Sequence, residues 1–322
     1  MFEERKISPE LRKQYREKGY WKDETLLDCW DRTVEKYPDR EYVVDDRGYR
    51  YTYREMDEAA GRVASYLLWL GIRPGEVVSY QLPIWSEFAM LTIACYKIGA
   101  VAHPIAMSYE EKELARSLNV TESRCYFGPT FFYKTDYEER ILAVRDQVPL
   151  LKDVVLIDSV RERKSNVPLL REILASCEPL PKERCVHTKN GQDIAVILCT
   201  SGTTGGTKGV LLTHDNVRYS EDTFNRELGL TEEDIMFMPA PLHHATGFHH
   251  AIIAPMLHGA KVVLQQKYQC RSAIELMNRE QVTYSMGATP FIYDILRELE
   301  TNGGAVPTLK FYLCGGAPVP GY

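Results

Sequence analysis

A segment rich in glycine and threonine at residues 200–210, TSGTTGGTKGV, combines the residue types that bind phosphate. It directly follows the apolar stretch AVILCT, which predicts a buried strand at residues 195–200. Glycines let the backbone turn tightly and point successive N–H groups into one anion-binding concavity. The hydroxyl groups add neutral donors, and Lys208 adds a positive charge. We therefore predict a cradle for nucleotide phosphates, formed by Thr200, Ser201, Gly202, Thr203, Thr204, Gly205, Lys208 and Gly209.

The spacing of this segment differs from that of the P-loop, G-x-x-x-x-G-K-[ST], whose final hydroxyl binds Mg²⁺. Counted from Gly202, Thr207 stands at the second glycine position, and Gly209 stands where that hydroxyl is needed. A P-loop NTPase is therefore the weaker alternative. A surface loop whose hydroxyls only cap the next helix is the other alternative.

The segment resembles the phosphate-binding signature of the adenylate-forming superfamily, [ST]-S-G-[ST]-T-G-x-P-K-G-[VI]. This superfamily includes acyl-CoA synthetases, luciferases and the adenylation domains of peptide synthetases. Ten of the eleven positions fit, and Thr207 stands where the family usually has proline. Other family-like blocks follow the family order: YTYREM at 51–56, YKIGAVAHPI at 96–105, PAPLHHATGF at 239–248 and LCGGAPVP at 313–320. The resemblance spans nearly the whole chain and is strongest to short- and medium-chain fatty acyl-CoA synthetases and related cyclic-carboxylate CoA ligases.

The resemblance also implies roles for residues outside the phosphate segment. The loop that faces adenine in the family corresponds to Gly315, Gly316, Ala317 and Pro318. His244, the second histidine of HHATG, would border the acyl and adenylate sites and act as a catalytic and substrate-binding residue. Gly287 would leave room for the acyl group. The alternatives are a tight turn at residues 315–318 and a packing role for His244.

Four histidines lie close together in this region, at positions 243, 244, 249 and 250. Four imidazoles could in principle bind zinc. The residues between them include no further metal ligand, and no cysteine or carboxylate stands nearby at ligand spacing. We therefore predict no metal site here.

The reaction implied by the resemblance has two steps and uses ATP, Mg²⁺ and CoA. A carboxylate attacks the α-phosphorus of ATP, and the CoA thiolate then attacks the acyl-adenylate. CoA is favoured over a carrier protein as acceptor. The family's Mg²⁺-binding Y-G-x-T-E segment and its distal catalytic lysine would follow Tyr322, so we expect this chain to be inactive alone. A non-catalytic nucleotide-binding fragment is the alternative.

The elements that must position these residues alternate between strand and helix along the chain, which predicts βαβ units and mostly parallel sheets. We predict an α/β fold of two stacked subdomains whose sheets are flanked by helices, with residues 1–190 in the first and 191–322 in the second, which is incomplete at its end. A β-hairpin is expected at 41–53 and a long amphipathic helix at 53–70. The polar stretch 158–190 is expected to be the least structured.

The composition limits the classes of protein, and the cellular locations, to which this chain could belong. A net charge of −6 gives no electrostatic reason to expect nucleic acid. The eight cysteines form no C-x-x-C pair, so we expect free thiols in a reducing compartment. The N-terminus is charged, and the most apolar long window, 88–107, is interrupted by polar residues. We therefore expect a cytoplasmic protein without a membrane-spanning segment. The family resemblance implies that its substrate is a small carboxylic acid.

Overall fold

Two six-stranded sheets form the frame on which the candidate site is built. The computed structural model describes residues 7–200, with the backbone alone at Thr200, and residues 208–315. The strands are β1 (Glu41–Asp45), β2 (Arg50–Thr52), β3 (Val77–Tyr80), β4 (Val101–Pro104), β5 (Cys125–Pro129), β6 (Phe131–Phe132), β7 (Thr135–Asp136), β8 (Asp153–Ile157), β9 (Ile194–Thr200), β10 (Lys208–Thr213), β11 (Ile235–Met238), β12 (Lys261–Leu264), β13 (Tyr284–Gly287) and β14 (Phe311–Cys314).

Helices alternate with these strands along most of the chain. They are α1 (Pro9–Glu17), α2 (Leu26–Lys36), α3 (Tyr53–Trp69), α4 (Glu87–Lys97), α5 (Glu111–Val120), α6 (Tyr137–Arg145), α7 (Leu170–Ser176), α8 (His214–Leu228), α9 (Ala245–Gly247), α10 (Ala254–His258), α11 (Cys270–Arg279) and α12 (Thr289–Asn302). A 3₁₀ turn (Lys182–Arg184) and a π-helix (Phe248–Ile253) complete the described elements.

Both sheets are mostly parallel, so the predicted fold class is confirmed. The first sheet has the strand order β10-β9-β4-β3-β5-β8, and β10 alone of its strands is antiparallel to its neighbour. The second sheet has the order β14-β13-β11-β12-β1-β2, and in it β2 is the antiparallel strand. A short antiparallel pair, β6 and β7, lies outside both sheets.

The sheets divide the strands differently from the predicted subdomains. The hairpin β1–β2, in the first half of the sequence, joins β12 in the second sheet, with Val43 opposite Val262. Conversely, β9 and β10 follow residue 190 but belong to the first sheet, where Val196 pairs with Ala102. The chain therefore crosses between the sheets twice, and position 190 does not separate them.

One apolar core joins the two sheets. It includes Val78 and Val196 from the first sheet together with Met236 and Val262 from the second, all fully buried. Helix α4 contributes to this core and is buried along its whole length, which explains why its sequence between the charged ends Glu87 and Lys97 is mostly apolar. The long helix α3 begins with a capping box between Thr52 and Glu55, as its S/T-x-x-E sequence favours.

Two elements differ from the sequence expectations. Strand β10 extends the phosphate segment into a hairpin, whereas the sequence indicated no strand there. The polar stretch 158–190 contains helix α7, which packs Leu170 and Ile173 into the core.

All eight cysteines are free thiols. Among the helices in the described ranges, none has the length and apolarity that crossing a membrane requires.

Candidate nucleotide and acyl site

The hairpin β9–β10 frames the predicted phosphate segment. Across the antiparallel ladder, Lys208 lies opposite Thr200 and Gly209 lies opposite Cys199. The loop between them contains Ser201, Gly202, Thr203, Thr204 and Gly205, which lie outside the described residues. The ladder therefore holds both ends of the segment together and keeps Lys208 beside the point where the loop begins.

The glycine after the lysine has a packing reason of its own. A Cβ atom added at Gly209 would lie 3.0 Å from Cγ2 of Ile197, on the neighbouring strand. Ile197 is fully buried in a small apolar cluster with Val77 and Val101. Gly209 therefore allows β10 to lie close to β9, independently of any contact with phosphate.

A second group of predicted residues meets at the carboxyl ends of β13 and β14. These parallel strands are neighbours, so their ends lie at the same edge of the second sheet. The amide of Gly315 donates a hydrogen bond to the carbonyl oxygen of Gly287 at 3.3 Å. Two candidate site residues are thus brought together. Gly316, Ala317 and Pro318 lie outside the described residues.

The side-chain space at Gly287 is filled by protein. A Cβ atom there would lie 2.6 Å from the hydroxyl oxygen of Tyr312, 3.0 Å from Cδ2 of Phe291 and 3.1 Å from Cγ of Pro239. The Tyr312 hydroxyl is buried and has no hydrogen-bond partner in the described part of the chain. A side chain larger than that of glycine at position 287 would therefore require the Tyr312 side chain to move.

His244 lies in the loop that follows β11, the strand next to β13. Its amide donates to the carbonyl of Pro241 at 3.2 Å, and its own carbonyl accepts from Phe248 at 2.8 Å. The glycine of the HHATG motif is needed for this turn, because a Cβ atom at Gly247 would lie 2.2 Å from the Pro241 oxygen. The imidazole of His244 is exposed, so it is free to meet a substrate at this edge of the sheet.

His243 has a different environment from its neighbour. Its ring lies 4.8 Å from that of His244 but is half-buried. Burial, with a smaller contribution from the neighbouring imidazole, lowers the pKa of His243 to about 4. His243 is therefore neutral near pH 7, as expected of a packing histidine.

The other two histidines of the run bind a carboxylate that the sequence did not reveal. Nδ1 of His249 lies 3.1 Å from Glu221 Oε1, and Nδ1 of His250 lies 2.9 Å from Oε2. Burial would raise the pKa of Glu221, but the hydrogen bonds from both histidines outweigh it and lower this pKa to about 2. Within residues 7–200 and 208–315, no group of three or more potential ligand side chains could hold a metal ion.

The two groups of candidate residues lie in different sheets. Thr200, Lys208 and Gly209 belong to the first sheet, while Gly287, Gly315 and the His244 loop stand at the carboxyl edge of the second. The sequence analysis did not find the contact between Glu221 and the two histidines, because α8 is far from them in sequence and no local spacing connects them. The same holds for Tyr312, which reaches Gly287 from the adjacent strand.

Comparison with known proteins assigns the family. The sequence profile of the AMP-binding enzyme family matches residues 30–321, almost the whole chain. The chain belongs to the AMP-binding enzymes. It is 40% identical to the medium-chain fatty-acid–CoA ligase of Escherichia coli K12 over 314 residues, which cover 98% of this chain and 55% of that protein. The long-chain-fatty-acid–CoA ligase FadD13 of Mycobacterium tuberculosis is 29% identical over 87% of this chain and 52% of its own length.

Solved structures of other proteins show the same fold. Apo MbtA of Mycobacterium smegmatis has a TM-score of 0.84 at 23% identity and covers 97% of this chain and 56% of its own. The inhibitor-bound N-terminal domain of FACL13 from Mycobacterium tuberculosis has a TM-score of 0.81 at 23% identity, with 92% and 71% covered. This AMP-binding chain thus spans about half the length of the curated relatives it matches.

Proposed function

We propose that this chain is the nucleotide-binding part of an acyl-CoA ligase that activates a short- or medium-chain fatty acid or a cyclic carboxylic acid. The phosphate signature at residues 200–210, set in the β9–β10 hairpin, is the observation that carries the proposal. The 40% identity to a medium-chain fatty-acid–CoA ligase supports the substrate class. A non-catalytic fragment that binds nucleotide is the second candidate.

The proposed reaction forms an acyl-adenylate first and a thioester second. A carboxylate oxygen attacks the α-phosphorus of ATP, delivered as its Mg²⁺ complex, and pyrophosphate leaves. The thiolate of CoA then attacks the acyl carbon, and AMP leaves. The first step brings two anions together, so donors and positive charge at the phosphates lower its barrier.

The candidate residues would divide this work between two parts of the chain. In our proposal the loop at residues 200–209, with Lys208, binds the phosphates, and residues 315–318 face the adenine. His244 borders the reacting carboxylate from the loop after β11, where its ring is exposed. Phe248 and Ile252, which follow it, are fully buried in the apolar core.

Calorimetric titration tests the proposal with two ligands. We expect the chain to bind MgATP. We expect it to bind an acyl-sulfamoyl adenosine, which mimics the acyl-adenylate, more tightly by a factor on the order of 10². An analogue with an eight-carbon acyl chain should bind more tightly than one with a sixteen-carbon chain. Binding of MgATP without a preference for the analogue would favour the non-catalytic fragment.

A lysine substitution provides the matched control. We expect Lys208→Gln to weaken MgATP binding by roughly tenfold, because one charge-assisted contact is lost. Lys13→Gln removes the same charge from an exposed position in α1 and should leave binding unchanged. Failure of the unaltered chain to bind either ligand, or equal effects of the two substitutions, would overturn the proposal.

A further inference from the structure

A fully buried histidine lies beneath the strand that leads into the phosphate segment. His103, on β4, is 0% exposed. Its Nδ1 lies 2.7 Å from the hydroxyl of Ser79 on β3, and its Nε2 lies 3.3 Å from the hydroxyl of Ser117 on α5. The same Nε2 lies 3.6 Å from Sγ of Cys199 on β9. One imidazole ring thus connects three strands and a helix.

Two further hydroxyl groups extend this network. The Thr121 hydroxyl lies 3.5 Å from Nδ1 of His103 and 2.8 Å from the hydroxyl of Ser123, which in turn contacts Ser79. Thr121 also donates to the carbonyl of Ser117 at 2.8 Å. Burial lowers the pKa of His103 to about 3, so the ring is neutral and has one donor and one acceptor nitrogen. A network satisfied in this way is rigid.

The position of Cys199 links this network to the phosphate segment. Cys199 precedes Thr200 in the chain and faces Gly209 across the β9–β10 ladder. The ladder between β9 and β4 pairs Val196 with Ala102, upstream of this point. The contact from His103 to Cys199 therefore ties the carboxyl end of β9 to the rest of the sheet beyond that backbone pair.

We propose that His103 is a positioning residue, which fixes the carboxyl end of β9 and thereby both ends of the phosphate-binding segment. The inference rests on the proposed function, which assigns phosphate binding to residues 200–209. The family block K-x-G-A-x-x-x-P leaves position 103 open, so the resemblance itself assigns no role to this histidine. A phosphate cradle works through donors held in place before the ligand arrives, so a loose strand end weakens binding.

Two substitutions of His103 separate positioning from packing. An asparagine amide reaches the place of Nδ1 but falls short of Nε2, whereas a glutamine amide reaches toward Nε2. We expect His103→Asn to weaken MgATP binding by roughly tenfold, as measured by calorimetry. His103→Gln should restore binding to within about threefold of the unaltered chain, because it can still meet Cys199.

A second buried histidine is the matched control. His214 is also neutral, since burial lowers its pKa to about 4, and its Nδ1 accepts a hydrogen bond from the amide of Leu26. We expect His214→Gln to lower the melting temperature without changing MgATP binding. If His103→Asn folds and binds MgATP as tightly as the unaltered chain, or if His214→Gln weakens binding equally, the inference is wrong.

Alkylation of Cys199 reports on the strand end without requiring ATP. Burial raises the pKa of this thiol, so iodoacetamide should react slowly with it in the unaltered chain. We expect a severalfold faster reaction at Cys199 in His103→Asn, on the order of three- to tenfold, located by peptide mass spectrometry, with no change at Cys177. An unchanged rate would contradict the anchoring of β9.

The two readouts distinguish failure of this inference from failure of the proposed function. Loss of all MgATP binding by the unaltered chain would remove the proposed function, while the alkylation rate would still decide whether His103 anchors β9. If His103→Asn does not fold, Cys199→Ala removes the same contact and leaves the imidazole in place. That variant should then weaken MgATP binding, and tight binding by it would overturn the inference.

Discussion

Replacement of Gly287 by alanine tests how tightly the carboxyl ends of β13 and β14 are packed. The new Cβ atom would lie 2.6 Å from the Tyr312 hydroxyl and 3.0–3.1 Å from atoms of Phe291 and Pro239. Favourable separations between non-bonded heavy atoms are about 3.5–4.0 Å, so all three neighbours would have to move. The strain of such overpacking is about 1–3 kcal/mol.

The steric cost should exceed the opposing effect of the backbone. Alanine restricts the unfolded chain more than glycine does, which by itself stabilises a compatible site by about 0.4–1 kcal/mol. We therefore expect Gly287→Ala to lower the free energy of unfolding by about 1–2 kcal/mol. Urea denaturation followed by circular dichroism measures this change from the shift in midpoint at a constant slope.

A neighbouring glycine supplies the control. Among residues 7–200 and 208–315, a Cβ atom at Gly315 would meet only Cε of Met286 within 4 Å, at the ordinary contact distance of 3.5 Å. Gly315→Ala should therefore change the free energy of unfolding by less than about 0.5 kcal/mol. Addition of Tyr312→Phe should reduce the cost of Gly287→Ala, because it removes the nearest atom. Equal costs for the two glycine substitutions, or no coupling with Tyr312, would refute the packing argument.

Three further predictions concern the segment around HHATG and its partner helix. The pKa of about 2 at Glu221 lies below the ordinary carboxyl value, so its ionisation stabilises the fold by about 3 kcal/mol above pH 4.5, and this contribution falls as the pH drops toward 2. Glu221→Gln should flatten that acid limb in pH-dependent urea unfolding, and an unchanged limb would contradict the pairing. His243→Ala should lower the free energy of unfolding by about 1–2 kcal/mol, because a packing side chain is lost. His244→Ala should leave stability unchanged and weaken binding of the acyl-adenylate analogue, as measured by calorimetry. Equal effects of the two substitutions on stability and on binding would contradict the separate roles of the two histidines. Gly247→Ala should lower the melting temperature more than Gly287→Ala, since its Cβ would meet the backbone oxygen of Pro241; a smaller shift would argue against that turn.

Local patterns were sufficient to predict most individual elements. The hairpin at residues 41–53 follows from two apolar arms around DDRG, and the structure has β1 and β2 there. The strand at residues 153–157 and the long helix beginning at Tyr53 also agree with the sequence interpretation. These elements have strong periodicity and clear end signals, so little tertiary information is needed to place them.

The pairing of strands was beyond local patterns. Strand β10 begins at Lys208, within the phosphate segment, and its pairing with β9 depends on a loop whose turn chemistry was not recognised as a hairpin. The assignment of β1 to the second sheet depends on contacts with β12, more than 200 residues away, where Val43 meets Val262. Such contacts follow from packing of the whole chain, which a single sequence does not display.

The candidate site divides in the same way. The glycine- and threonine-rich segment and the HHATG loop were found because their chemistry is contiguous in sequence. Glu221, Tyr312 and His103 were missed because each acts through space on a residue in another element. Without side-chain positions, no spacing rule connects a carboxylate on α8 to histidines on the π-helix.

Hydrogen exchange with and without MgATP tests the central claim most directly. The account predicts that MgATP slows amide exchange in peptides that cover residues 199–209 and 313–318, while α1 and α7 exchange at unchanged rates. This pattern would place the phosphates at the β9–β10 hairpin and the adenine beside β14. Protection elsewhere in the chain, with both of these segments unaffected, would contradict the account.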